Sequence, residues 1–260
     1  MAVAIAPEPN FEAFSFDDRI TVSRPMPQGD ALENKLWLER VGPEQALAIT
    51  ANGHFLAGGD ANGVVNVWNL ADASLQLRLN KAGAIQALAF SPDGNLLALG
   101  LAKPAGCPPD TLWIYDTQGQ APHRNFARNT VQTLAWSSDS HWFAAGLDDG
   151  SILFGDANSD TEPRRLSVST SPVVSLSFHP LRSFLASAHA DKRVIISKVP
   201  TGEQVFAFEP PLPPNPLFPR GIEQVAFDSK GARLAVAYAD GDVRVWDTSS
   251  LSPPNQPISQ

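Results

Sequence analysis

The chain has 260 residues, of which 19 are Lys or Arg and 27 are Asp or Glu, so its formal net charge is −8. This acidic balance disfavours nucleic acid as a main partner, because phosphate binding requires a basic surface. The single cysteine, Cys107, excludes an internal disulfide, and no apolar run approaches the ~20 residues that a membrane helix requires. We therefore expect a cytoplasmic protein of one domain, without membrane insertion.

The N-terminal region contains a degenerate copy of a pattern that recurs later in the chain. Residues 17–23 align without a gap with residues 191–197, which predicts a third strand of a first repeat unit. Residues 11–16 are its predicted second strand, and residues 35–39 its predicted outer strand. This unit is expected to lack an inner strand, and residues 1–10 are predicted to be a flexible N-terminus.

Five clearer units follow, each with an apolar inner strand, a polar turn, a strand of small apolar residues, an Asp/Asn-Gly turn and a third strand. The residues that close the five inner strands are 41 to 49 residues apart: Ile49, Phe90, Trp136, Phe178 and Phe227. A strand-rich unit with this period predicts the four-stranded blades of a propeller. Six apolar side chains of the inner strands are expected to be buried: Leu134, Trp136, Leu176, Phe178, Val225 and Phe227.

The repeated motifs resemble those of the WD40 repeat family. The residues that carry the resemblance are the turn Phe90–Gly94, its variant Phe178–Pro180, and the strand ends Trp68-Asn69, Tyr115-Asp116 and Trp246-Asp247. The Gly-His pair that precedes the inner strand in this family is missing from every unit. The His–Asp–Ser/Thr–Trp hydrogen-bond network of the family is therefore expected to be absent or partial.

The resemblance implies an all-β, WD40-like propeller with five recognisable four-stranded blades plus the degenerate N-terminal unit. The propeller is expected over residues 11–250, followed by a Pro-rich tail at 251–260. In this family an Asp in the turn before the third strand has a structural role. Asp149, Asp191 and Asp240 match that position, and an Asp-Gly turn tolerates positive φ.

The way in which the ring closes is open between two arrangements, because the last unit, residues 222–247, lacks an outer strand. In a five-bladed ring, residues 35–39 would complete the last blade by pairing with residues 242–247. In a six-bladed ring, a gap would remain, closed by a strand from another chain. We predict the first arrangement, because an unpaired strand edge invites aggregation.

The function that the resemblance implies is a non-catalytic scaffold for protein–protein interaction within a larger complex. The five histidines are spread over four units, and no Cys-x-x-Cys motif is present, so no catalytic, cofactor or metal site is expected. Two insertions that contain several prolines, residues 101–109 and 208–220, are expected on one face of the propeller. Partner contacts are predicted on that face. The candidate partner-binding residues are Lys103, Arg128, His189, Phe218 and Arg220.

Two alternative functions stay open at this point. One is an enzyme that uses the central tunnel of the propeller, which would need acids and histidines at the starts of the inner strands. The other is an open propeller completed by a strand from a partner subunit, as in coat-like scaffolds of the family. A lipid- or nucleic-acid-binding propeller is disfavoured by the net charge of −8.

Overall fold

The structure is a computed structural model, which describes residues 3–6, 11–16, 19–23, 35–39, 44–103, 110–119, 122–126, 129–159, 161–208 and 221–249. These residues form 23 strands in six antiparallel sheets, and no helix is present among them. Within each sheet the strands follow one another in chain order, as they do in the blades of a propeller.

The first three sheets contain four strands each: β1 (Val3–Ala6), β2 (Phe11–Phe16), β3 (Arg19–Ser23) and β4 (Lys35–Glu39); β5 (Glu44–Ile49), β6 (Phe55–Asp60), β7 (Val64–Asn69) and β8 (Leu75–Asn80); β9 (Ile85–Phe90), β10 (Leu96–Leu101), β11 (Leu112–Asp116) and β12 (Pro122–Phe126). The fourth and fifth sheets also contain four: β13 (Val131–Trp136), β14 (Trp142–Leu147), β15 (Ser151–Asp156) and β16 (Arg164–Ser167); β17 (Val173–Phe178), β18 (Phe184–His189), β19 (Val194–Lys198) and β20 (Gln204–Phe208). The sixth sheet contains three: β21 (Ile222–Phe227), β22 (Arg233–Tyr238) and β23 (Val243–Asp247).

The first sheet corrects two expectations from the sequence. The first unit has an inner strand, because β1 pairs with β2 along its whole length, within the segment that was expected to precede the propeller. Strand β4 pairs with β3, with Leu38 opposite Ile20, and so completes the first sheet rather than the last. The predicted pairing of residues 35–39 with residues 242–247 is therefore wrong.

The six sheets are arranged in chain order around their innermost strands. Contacts join β1 to β5, β5 to β9, β9 to β13, β13 to β17 and β17 to β21. Within the described part of the chain, no comparable contact joins β21 of the sixth sheet back to β1 of the first. The fold is an all-β propeller with six blades, open between the last blade and the first, and the five-bladed alternative is wrong.

The apolar core lies between successive sheets, and the second strands of the second to fifth sheets are among the most completely buried. All six residues of β18 are buried, and five of six are buried in β6, β10 and β14. A second strand has a paired strand on both edges and a packed sheet on both faces, whereas an inner strand has only one paired edge. Consistent with this difference, only Leu176 and Val225 of the predicted core residues are buried. The other four are half-buried: Leu134, Trp136, Phe178 and Phe227.

The Asp149-Gly150 turn has the backbone conformation that its sequence predicts. Gly150 has a φ of +83°, and a Cβ at this position would lie 2.6 Å from the carbonyl oxygen of Ser171. A side chain would therefore be strained both by the φ angle and by the neighbouring backbone. The turn brings the end of the fourth sheet against the connection that leads into the fifth.

Replacement of Phe143 by Ala is expected to lower the free energy of unfolding by about 3–5 kcal/mol, the usual range for a buried aromatic ring. Phe143 is 1 % exposed, and its ring lies over Gly155 and 6.0 Å from the ring of Trp136. Phe178→Ala should cost less, because Phe178 is half-buried. Urea denaturation of both variants measures the difference. A smaller loss for Phe143→Ala than for Phe178→Ala would contradict this description of the core.

Candidate functional site

Asp149, the first of the three turn acids, is bonded within its own sheet. Its Oδ1 accepts the backbone N–H of Ser151 at 3.1 Å and the Ser151 hydroxyl at 2.6 Å. Its Oδ2 accepts from the guanidinium of Arg165, and from the amide of Asn129 at 3.3 Å. Partial burial acts to raise the pKa of Asp149, but the bonds from Ser151 and the charge of Arg165 outweigh it and hold the pKa below its ordinary value.

The other two turn acids are also engaged locally. Asp191 accepts the backbone N–H of Arg193 at 3.2 Å through Oδ1, and its Oδ2 lies 2.6 Å from the Arg193 guanidinium. Asp240 accepts the backbone N–H of Asp242 at 3.3 Å. Apart from Asn129, which lies just before β13, the contacts described for these carboxylates lie within the sheet to which each belongs. A purely structural role for the three acids stays a prediction, tested below.

His189, a predicted partner-binding residue, has no exposed surface. Its Nε2 lies 3.0 Å from the Ser187 hydroxyl, and its Nδ1 lies 3.0 Å from the carbonyl oxygen of Ser171. Burial lowers the pKa of His189, and the bond to the Ser171 carbonyl opposes that effect only in part. The His189 side chain thus bonds β18 to Ser171 in the connection before β17, and it presents no surface to a partner.

The other predicted partner-binding residues are placed only in part. Lys103 is exposed, and its backbone N–H donates to the hydroxyl of Thr130 at 3.1 Å, beside the start of β13. Arg128, Phe218 and Arg220 lie outside the described residues. The proposed surface around them stays a prediction.

A cavity of about 350 Å³ lies between the turns of the fourth and fifth sheets. Trp142, Phe154 and Phe178 form its apolar part, and the hydroxyl of Ser138 donates to the carbonyl of Pro180 at 2.8 Å across it. Leu181 at its rim is 74 % exposed.

Across the described ranges, no group of three or more His, Cys, Asp or Glu side chains could hold a metal ion. Nor is any helix there long and apolar enough to cross a membrane.

We use the term forward face for the side of each sheet that packs against the next sheet along the chain. In the fifth sheet this face contains Ala186, Ala188, Val194 and Ile196, which pack on the sixth sheet and are each at most 1 % exposed. The strand register gives the equivalent positions in the sixth sheet, because Ala188 lies opposite Val194 as Ala237 lies opposite Val243. The forward face of the sixth sheet is therefore formed by Ala235, Ala237, Val243 and Val245.

The forward face of the sixth sheet is apolar but uncovered. Val243 is 58 % exposed and Val245 is 59 % exposed, whereas their counterparts Val194 and Ile196 are 0 % and 1 % exposed. Monomeric proteins rarely leave a built apolar sheet face open, and such a face commonly marks an interaction site. The open sixth sheet is therefore the candidate functional site of this structure.

Sequence reasoning recognised the missing outer strand but not the open face. Residues 65–68 and 243–246 share the pattern Val-x-Val-Trp, so the two segments have the same strand pattern. Val65 and Val67 are buried, because the third sheet packs on them. A comparison of each forward face with the sheet that follows it could have found the site, since nothing in the predicted order follows the sixth sheet.

Three segments of the chain match the family model "WD domain, G-beta repeat" (WD40): residues 121–154, 161–196 and 219–247. The Cps50 (Swd1) β-propeller domain of Myceliophteria thermophila is similar in structure, with a TM-score of 0.68 at 19 % identity, over 85 % of this chain and 70 % of that one. The chain is therefore a β-propeller in which three segments match WD40 repeats, and the resemblance is confirmed.

Curated relatives match the chain at low identity. Protein HIR1 of Eremothecium gossypii is 25 % identical over 257 residues, which cover 80 % of this chain and 31 % of the relative. Protein hir1 of Emericella nidulans is 25 % identical over 198 residues, which cover 66 % of this chain and 18 % of the relative. The chain thus spans between about a fifth and a third of the length of these relatives.

Replacement of Asp191 by Ala is expected to lower the free energy of unfolding by about 0.5–2 kcal/mol, the range for a lost local hydrogen bond. The Asp191 side chain is 32 % exposed, so solvent screens part of its ion pair with Arg193. Thermal unfolding measures the stability, and a pull-down of a protein partner measures binding. Loss of the partner at an unchanged melting temperature would make Asp191 a functional residue.

The stability of the protein is expected to fall as the pH is lowered below about 6.5, the ordinary pKa of His. Burial lowers the pKa of His189 in the folded state, so the unfolded chain binds the proton more readily and gains stability as the pH falls. His189→Asn should flatten the pH dependence between pH 7.5 and 5.5 without removing it, because the pKa of His179 is lowered as well. Equal slopes for both proteins would contradict a buried neutral His189.

Proposed function

We propose that the chain is a non-catalytic scaffold that holds a protein partner on the open forward face of the sixth sheet, as one subunit of a larger complex. The observation that carries this proposal is the contrast between Val243 and Val245 and their buried counterparts in the fifth sheet. A face built to pack against a sheet loses contact with water when a partner covers it, and that burial drives association.

The character of this face supports a protein partner rather than a nucleic acid. Its four side chains are Ala235, Ala237, Val243 and Val245, and none of them carries a charge. The net charge of the chain is −8, which opposes association with phosphate backbones.

We also propose that the protein is intracellular and cytoplasmic.

A catalytic tunnel, the alternative that the sequence left open, would need acids and histidines at the starts of the inner strands. Five of the six inner strands begin with an apolar residue: Val3, Ile85, Val131, Val173 and Ile222. Apolar side chains supply neither a general acid nor a base, so these positions support a binding role.

A second contact region is proposed around Lys103, Arg128, Phe218 and Arg220. We call it the turn-side surface.

The double variant Val243→Lys with Val245→Lys tests the scaffold proposal. Both side chains are already more than half exposed, so the charges should leave the melting temperature nearly unchanged while making the face unable to bury against a partner. The tagged full chain is used to isolate the stoichiometric partner, which is then purified and titrated against each variant. The double variant should weaken binding at least about tenfold.

Two control variants keep this result specific. Leu181→Lys places a charge on an exposed apolar residue in a turn of the fifth sheet, outside the forward face of the sixth, and it should bind the partner as the unmodified chain does. Arg128→Glu, Arg220→Glu and Phe218→Ala together test the turn-side surface. Full binding by the sixth-sheet variant, with loss of binding by the turn-side variant, would place the interface on the turn side and overturn the proposal.

A further inference from the structure

From the second sheet to the sixth, one cross-strand pair of the second and third strands packs against the preceding sheet. In four of these sheets one member of the pair is aromatic, so that a ring fills space between the two sheets. The four pairs are Leu56–Trp68, Leu97–Tyr115, Phe143–Gly155 and Leu234–Trp246. The fifth sheet is the exception, because its equivalent pair is Leu185–Ser197 and contains no ring.

The pair of the fourth sheet shows that the ring can come from either strand. A Cβ at Gly155 would lie 2.3 Å from the Phe143 ring, so Phe143 occupies the place of the side chain that Gly155 lacks. In the fifth sheet Leu185 and Ser197 are both buried, and the hydroxyl of Ser197 has no hydrogen-bond partner among the described residues. The interface between the fourth and fifth sheets therefore lacks the ring that the other interfaces contain.

The cavity of about 350 Å³ between the turns of the fourth and fifth sheets lies at this same interface. Val199 forms part of its wall, two residues after Ser197 and on the same side of the chain. On the opposite wall Trp142 stacks on Phe154 with ring centroids 4.9 Å apart, and Phe154 lies 6.1 Å from Phe178. Protein interiors are packed about as densely as organic crystals, so an aromatic-lined space of this size is suited to a ligand.

Asp139 places a negative charge at the mouth of the cavity. Its Oδ1 accepts from the hydroxyl of Ser137 and from the backbone N–H of His141, and mainly these bonds hold the pKa of Asp139 below its ordinary value. Its Oδ2 has no hydrogen-bond partner within the described part of the chain. Arg182, on the fifth-sheet side of the mouth, is engaged in an interaction of its own. The Asp139 carboxylate therefore favours a cation at the mouth.

We propose that this cavity binds a small molecule that combines an aromatic ring with a cationic amine. The ring contacts Phe154 and Phe178 and takes the place of the side chain that Ser197 does not supply, while the ammonium group lies at Asp139. Apolar walls with a few polar groups at the mouth are typical of small-molecule sites. This site is separate from the sixth sheet, and its ligand does not depend on the partner proposed there.

Three compounds separate the contributions of the ring and of the charge. Tryptamine carries both, hexylamine lacks the ring, and indole-3-propionate replaces the ammonium group with a carboxylate. Calorimetric titration of the full chain should show saturable binding of tryptamine with a Kd below about 1 mM. The other two compounds should bind at least about fivefold more weakly. Absence of saturable tryptamine binding, or equal affinity for all three compounds, would overturn the proposal.

Two variants supply the missing ring from within the chain. Ser197→Trp copies the pairs of the second and sixth sheets, and Leu185→Phe with Ser197→Gly copies the pair of the fourth. Because a ring then fills the space between the sheets, each variant should bind tryptamine at least about tenfold more weakly, at an unchanged or higher melting temperature. Unchanged tryptamine affinity in either folded variant would place the ligand elsewhere and overturn the proposal.

A variant at the exposed mouth decides the question even if the filled variants do not fold. Asp139→Asn keeps the oxygen that accepts from Ser137 and removes the charge, so it should weaken tryptamine binding about fivefold and leave indole-3-propionate binding no weaker. Asp93→Asn is the matched control, because Asp93 accepts from the hydroxyl of Ser91 in the corresponding turn of the third sheet. Equal tryptamine affinities of the two variants would contradict a ligand cation at Asp139.

A peptide probe distinguishes a small molecule from a segment of a protein. The peptide acetyl-Lys-Trp-Lys-amide presents the same ring and positive charges within a chain, and it should bind more weakly than tryptamine. Tighter binding of the peptide would make a protein segment the occupant and overturn the proposal. The variant with Val243→Lys and Val245→Lys should bind tryptamine as the unmodified chain does, and a loss of tryptamine binding there would contradict a site separate from the sixth sheet.

Discussion

Face-to-face packing between neighbouring sheets is the constraint on which the rest of this structure depends. A single four-stranded sheet cannot bury both of its faces alone, so a blade is stabilised by the neighbouring blades that cover those faces. The fifth sheet meets this requirement, since Ala186, Ala188, Val194 and Ile196 are covered by the sixth. The sixth sheet carries the same kind of apolar face, with no sheet placed against it in the described part of the chain. The site therefore arises from an interruption of the repeat and not from a specialised motif.

The turns on one side of the propeller add a second, polar layer to this packing. Asp149 and Asp191 bind backbone and arginine groups of their own sheets, and His189 joins β18 to the connection before β17. These contacts stabilise the turns of the individual sheets. The turn acids and His189 thus make local contacts, whereas plain valines form the candidate site.

Most of the blade structure could be predicted from the sequence, because alternation of apolar residues and Asp-Gly turns are local signals. The inner strand β1 was missed because its four residues, Val3–Ala6, are followed by no such turn. The pairing of β4 was predicted wrongly because alternation in residues 35–39 fits either edge strand equally well, and register and partner depend on tertiary contacts. Burial of Val67 and exposure of Val245 could not be told apart, since both occur in the same Val-x-Val-Trp pattern.

Hydrogen exchange of the backbone amides along β23 in the free chain tests the central claim most directly, because it reports which amides are hydrogen-bonded. The account predicts an alternation, in which the amides of Val243 and Val245 exchange fast and those of Arg244 and Trp246 exchange slowly. The amides of Val65 and Val67 in β7 serve as an internal reference and should both be slow, because β8 covers that edge. Slow exchange at Val243 and Val245 in the monomeric chain would mean that the edge is already paired, and it would contradict the open sixth sheet.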